Sequence, residues 1–148
     1  MPAAADPRQR AWARFVFAQA LLLERIETAF GEAGLPSLAW YDVLWMLESA
    51  EQGRLRMHDL ARRAVVSRSN VTRLTDRMEK AGLVARAECP EDGRGTVCEI
   101  SEAGRRMRAR MWPAYKKQID TLFGKHLQVR DAKCMSESLE RIIAAAQA

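Results

Sequence analysis

A mainly α fold with one small β-hairpin (α+β) is predicted by three observations. Apolar residues recur at three- and four-residue steps through most of the 148 residues. Two short strand-like runs flank a turn-rich segment at 90–95, and serines, glycines and one proline punctuate the rest at positions suited to helix ends.

From about Pro7 to Phe30, Trp12, Phe15, Gln19, Leu22, Leu23, Ile26 and Phe30 follow helical spacing, and Gly31 and Gly34 close the segment. Ser37 can cap a second helix through Ser49, whose Trp40, Tyr41, Val43, Leu44, Trp45, Met46 and Leu47 predict burial on most sides. Gly53 ends the following linker, and a short helix is expected from Met57 to Arg63. Ser67 is a good N-cap for a helix reaching Ala81, with Gly82 as its stop. Its inward stripe is Val71, Leu74 and Met78, which turns Ser69, Thr72, Arg73 and Asp76 outward. Leu83 to Cys89 and Thr96 to Ile100 have strand character and form the hairpin. Ser101 can cap a long helix to about Phe123, which Pro113 should kink or split, and Gly124 ends it. Met135, Leu139, Ile142 and Ile143 mark a last helix from about Val129 to Ala146. Two short helices directly before a hairpin make a helix-turn-helix with a wing, here at 37–101.

Charge adds a function class. The chain has 24 Lys and Arg against 19 Asp and Glu, a net charge of +5. Arginines 54, 56, 62, 63, 68, 73 and 77 face only Asp59 and Asp76 within the same window, so this stretch holds the whole excess. A basic patch on a balanced protein is the footprint of a polyanion such as double-stranded DNA. Only His58 and His126 are present, with no metal-ligand cluster and no glycine-rich phosphate loop, so no enzyme, metal or cofactor is expected. Neither an 18-residue apolar run nor a signal-peptide start is found, and a cytoplasmic protein without a membrane partner is expected. Cys89, Cys98 and Cys134 lack zinc spacing and should be reduced thiols.

The segment Asp92, Arg94, Cys98, Ile100, Ser101 and Gly104 falls on the pattern D-x-R-x-x-x-L-x-L-T-x-x-G, with Cys98, Ile100 and Ser101 as conservative replacements. Ser67 to Leu74 and Lys80-Ala81-Gly82-Leu83-Val84 fit a recognition helix and its exit into the wing. On these motifs the chain resembles the MarR family of bacterial winged helix-turn-helix regulators over nearly its whole length. The resemblance implies a single domain, 1–148, with the winged lobe at 37–101 and a helical dimerisation region at 7–34 and 102–148. It further implies a homodimer on a pseudo-palindromic operator, most often a repressor released by a small aromatic or phenolic effector.

Arg68 and Arg73 can pair bidentately with guanine, and Ser69 and Thr72 can reach base edges or phosphate. Asn70 belongs to the same DNA-binding set, Ser67 is placed for a phosphate, and Arg77 can meet a base or a phosphate or pair with Asp76 or Glu79. The resemblance puts Arg94 in the minor groove, held by Asp92, and Gly93 where many members carry another arginine. Trp12, Phe15, Trp40, Tyr41, Trp45 and Trp112 are candidates to line the effector cleft, with Asp42 and His58 as polar anchors. Two alternatives stand beside this reading. If the turn centres between Gly93 and Arg94, Cys89 and Cys98 lie opposite each other and could form a redox switch; or the winged fold could serve as a protein-interaction module.

Overall fold

The structure, a computed structural model, describes residues 6–64, 68–89, 93 and 95–148, and of Arg68 and Ser69 only the backbone. Among these residues lie six α-helices and a three-stranded sheet. They are α1 (Pro7–Glu32), α2 (Leu38–Ser49), β1 (Arg54–Arg56), α3 (Met57–Arg63), α4 (Arg68–Lys80), β2 (Val84–Glu88), β3 (Thr96–Ile100), α5 (Glu102–Leu122) and α6 (Val129–Gln147). Mainly helical with a small antiparallel sheet, the chain has the predicted fold class.

Most local expectations hold for local reasons. The Ser37 side chain accepts the Ala39 N–H at 3.2 Å and starts α2, and Glu27 from α1 accepts the Leu38 N–H at 2.9 Å. Ser101 Oγ accepts the Gly104 N–H at 3.0 Å and donates to the Gly82 carbonyl at 2.6 Å, which caps α5 and ties it to the turn after α4. That turn needs Gly82, whose φ of +75° lets the Leu83 N–H reach back to the Met78 carbonyl at 3.0 Å. The N-cap expected at Ser67 lies outside the described residues.

Four expectations are corrected. α1 runs through Gly31 and ends at Glu32, because one glycine costs a helix only about 1 kcal/mol. Of the two outcomes expected at Pro113, a split is ruled out: α5 is continuous across it, since the proline removes a single N–H from a helix of 21 residues. Arg54–Arg56 forms a strand that pairs with β3, giving the sheet order β1-β3-β2 rather than a bare hairpin. On α2, Tyr41, Val43, Leu44 and Leu47 are buried, but Trp45 is half exposed. The Arg108 guanidinium lies 5.7 Å from its ring centroid, and Arg108 also pairs with Glu48.

The chain divides into two compact units, one of residues 24–115 and one of residues 1–23 with 116–148. In the first, Leu44 and Leu47 of α2, Leu60 of α3, Val71 and Met78 of α4, and Cys98 and Ile100 of β3 close one core. Each such side chain stabilises the fold by about 1.5–3 kcal/mol through burial. The second unit is different. α6 contains no buried residue, and Trp12, Phe17, Val129, Ile142 and Ile143 are all more than half exposed.

Candidate nucleic-acid interface

α3 and α4 pack through Leu60 and Val71, and the core stripe of α4 fixes which of its sides faces out. Val71, Leu74, Thr75 and Met78 are buried. Thr75 was not in the predicted stripe; its hydroxyl donates within the helix, to the Val71 and Thr72 carbonyls, and so satisfies itself inside the core. Asn70, Thr72, Arg73 and Arg77 are consequently exposed together on the opposite face. Arg73 donates to Asn70 Oδ1 at 3.0 Å, an i,i+3 contact that restrains the long side chain and leaves further guanidinium donors free to bond outward. No described residue pairs with Arg77. Arg68 and Ser69 open α4, and Ser67, Asp92 and Arg94 lie outside the described residues. At the described part of the wing tip, Gly93 and Gly95 have φ of +64° and +78°, and the Gly93 N–H bonds the Cys89 carbonyl at 3.0 Å.

Arg86 is the residue that sequence reasoning missed. Asp76 and Glu79, open to Arg77 as one alternative in the sequence, pair instead with Arg86 of β2. The Arg86 backbone N–H donates to Glu79 Oε2 at 2.9 Å, and its guanidinium lies 3.3 Å from Glu79 Oε1 and in direct contact with Asp76 Oδ1. These hydrogen bonds, side-chain first, hold the Glu79 carboxyl below its usual range. Asp76, predicted to project outward, is half-buried by this pairing.

The cysteine geometry overturns the redox alternative as framed. The ladder pairs Glu88 with Thr96 and Arg86 with Cys98, so the loop centres on residue 92 rather than between 93 and 94. Cys89 is therefore three residues along from Cys98's partner, about 10 Å of strand, whereas a disulfide needs Cα atoms within about 7 Å. Cys98 is fully buried, facing Leu55 on its other side, and burial pushes its thiol up to about 12.

Of the effector candidates, only some come together. Tyr41 stacks on Trp112 at 6.2 Å, and Tyr115, which the sequence reading passed over, meets both edge-on at 4.9 and 6.2 Å. Phe30 extends this group through Tyr115. Asp42, next to Tyr41 in sequence, has its carboxyl lifted to about 6 by burial and by repulsion from Glu27. Tyr115 is raised by burial, by Asp42 and by Tyr41. Trp40 packs against the lobe core, and Trp12 and Phe15 pair with each other at 6.3 Å in the terminal-helix unit. A recess of about 540 Å³ beside the wing is lined by Glu51, Arg54, Arg56, Asp59, Arg63 and Cys89 among others, and by none of the aromatic candidates. His58 sits on α3, away from the aromatic group in sequence, and makes contacts of its own. Among the described residues no group of His, Cys, Asp and Glu could hold a metal ion, and no helix is long and apolar enough to cross a membrane.

Comparison with known proteins places this architecture. The transcriptional repressor IacR of Pseudomonas putida is 39% identical over 62 residues, which are 42% of this chain and 36% of the repressor. The chain thus spans well under two thirds of the length of the first curated relatives that it matches. Solved structures match over nearly everything. AbsC, a MarR family regulator from Streptomyces coelicolor, superposes with a TM-score of 0.85 at 27% identity, covering 99% of both chains. Sco3205 from the same organism, solved in complex with DNA, has a TM-score of 0.84 at 26% identity, covering 97% of this chain and 93% of that one. A sequence model described as the MarR family matches residues 33–95, which run from the approach to α2 to the wing. Sequence motifs, fold and relatives agree, and over nearly its whole length the chain is similar to the MarR family of winged helix-turn-helix transcriptional regulators.

Proposed function

We propose that the protein is a sequence-specific DNA-binding regulator, a cytoplasmic homodimer that represses from a pseudo-palindromic operator. The observation that carries this reading is the exposed face of α4, where Asn70, Thr72, Arg73 and Arg77 stand together, backed by a buried stripe that holds them in place. An arginine restrained by a neighbouring amide suits bidentate contact with guanine in the major groove. Sco3205 was captured on DNA and IacR is a repressor, which supports carrying both properties to this chain. In this reading Arg68 joins Arg73 in reading guanine, Ser69 reaches a base edge or phosphate, Ser67 meets a phosphate at the helix start, and Asp92 and Arg94 take the wing into the minor groove.

The homodimer follows from the terminal helices. Trp12, Phe17, Val129, Ile142 and Ile143 are large apolar side chains left more than half exposed on the terminal helices, and in this reading a second copy covers them. Ile143→Asp should then convert the dimer to monomer in size-exclusion chromatography, and a wild-type monomer at micromolar concentration would refute the assignment. The effector reading places a small aromatic ligand against Trp112 and Tyr41, with Asp42 as the polar anchor: a hydrogen-bond donor below about pH 6 and an acceptor for a phenolic hydroxyl above it.

The deciding experiment is selection of bound duplexes from a random pool, repeated with Arg73→Ala and Arg94→Ala. An inverted repeat enriched by wild type and lost by both variants is expected. Absence of any enriched repeat, or binding indifferent to salt, would instead favour the protein-interaction module.

A further inference from the structure

We propose that Arg86 is a positioning residue for DNA recognition: it clamps the first strand of the wing to the recognition helix, and the proposal rests on the DNA-binding reading above. Three contacts reach from one residue of β2 to two carboxylates one turn apart on α4. β2 is an edge of the sheet, so its outward N–H groups have no strand to pair with. Glu79 takes the outward N–H of Arg86 at 2.9 Å, as a neighbouring strand would. The Arg86 side chain is only 22% exposed and its guanidinium is occupied by carboxylates, which turns it away from the role of a phosphate contact.

The clamp supplies what the intervening turn lacks. At its base the hairpin is held to α4 by the Leu83 N–H to Met78, by Ser101 Oγ to the Gly82 carbonyl, and by the burial of Leu83 and Val84 in the core they share with Val71 and Met78. Beyond Val84 the edge strand leaves that core, so a small tilt about the base would carry the distal half of the hairpin with it. Arg86 fixes a second point three residues further on. Recognition helix and wing are then set at one angle before DNA arrives, so the wing need not be ordered on binding.

The test turns on a sign. Asp76→Asn with Glu79→Gln removes two negative charges beside the DNA-facing helix and frees Arg86. Electrostatics alone predicts tighter binding of every duplex. The clamp predicts the reverse for the operator: specific affinity falls by on the order of tenfold, the scale of a lost charged hydrogen bond, while binding to an unrelated duplex holds or rises. The probe is the duplex that wild type enriches from the random pool, measured by fluorescence anisotropy beside a scrambled control. Arg86→Met should lower the same ratio, and the triple variant should be no worse than Arg86→Met, because all act through one contact. Glu79→Gln alone and Arg86→Lys, milder changes, give intermediate ratios should the others fail to fold. An operator-to-control ratio equal to or above wild type in folded Glu79→Gln or in the double variant overturns the clamp. A wild type that enriches no duplex refutes the DNA-binding reading instead.

Discussion

Gly104→Ala is expected to destabilise the winged lobe although it replaces a helical glycine by the best helix former. Propensity alone favours alanine by about 1 kcal/mol. Against this, Gly104 is buried in the first turn of α5, where an added Cβ would overlap the Leu83 carbonyl oxygen and sit 2.8 Å from Ile100 Cγ1 and 3.2 Å from Leu44 Cδ2. The Leu83 carbonyl cannot step aside freely, since it accepts the Ser101 N–H at 3.0 Å in the link between sheet and helix. Overpacking against backbone costs about 3 kcal/mol, the upper part of the usual range, leaving a net loss of about 2 kcal/mol. For a chain of this size that lowers Tm by roughly 4–8 °C. Gly31→Ala is the matched control: it is also helical, has nothing within 4 Å of the new methyl, and should raise Tm slightly. Both are read by circular-dichroism melts at one fixed protein concentration, because association shifts the midpoint. A Gly104→Ala protein melting at or above wild type would show that the helix–sheet junction has slack that the packing argument denies.

Further outcomes are expected. Arg73→Ala should weaken operator binding by about 1–3 kcal/mol, and Asn70→Ala, which releases Arg73 and removes one amide from the DNA-facing group but keeps the guanidinium, should cost less, both by fluorescence anisotropy. Asp42 titrates near 6 in the folded protein, against an ordinary value of 3.8. The folded state thus holds a proton that the unfolded chain releases, and this group's contribution to stability falls as pH climbs from about 4 to 6. Asp42→Asn should remove that slope and be more stable above pH 6 by about 1–2 kcal/mol, discounted for partial exposure; melts at pH 5 and 7.5 that show the same gap would refute it. In the native protein Cys134, exposed on α6, should react with a thiol reagent first and Cys98 only on unfolding, and diamide should leave no Cys89–Cys98 bridge by mass spectrometry.

What could be read from the sequence was local. Ser37, Ser101 and Gly82 act within a few residues of themselves, so the ends they mark could be predicted, and the bounds of α3 agree with expectation. The strand at Arg54–Arg56 could not be, since two arginines in three residues have no strand signature and the segment is extended because β3 offers it a partner. The hairpin register slipped by three for a similar reason: a loop rich in turn residues allows several centres, and burial of Cys98 and Ile100 together selects one. On α4 the helical period separated the exposed Arg73 from the buried Met78. It gave no hint that Asp76 and Glu79 would turn to Arg86, because that adjacency arises only when β2 folds back along the helix. The aromatic candidates were chosen by residue type alone, so Tyr115 was passed over although it lies one helical turn from Trp112.

The bareness of α6 has a consequence for handling the protein. A 19-residue helix that buries no residue within its own chain has little to keep it wound. If a second copy supplies its cover, dilution acts on the terminal helices as a denaturant does, unwinding them at concentrations where the 24–115 unit, with its own core, still stands. A truncation at either end would then be felt first as a weaker grip between copies, and only afterwards as a loss of fold.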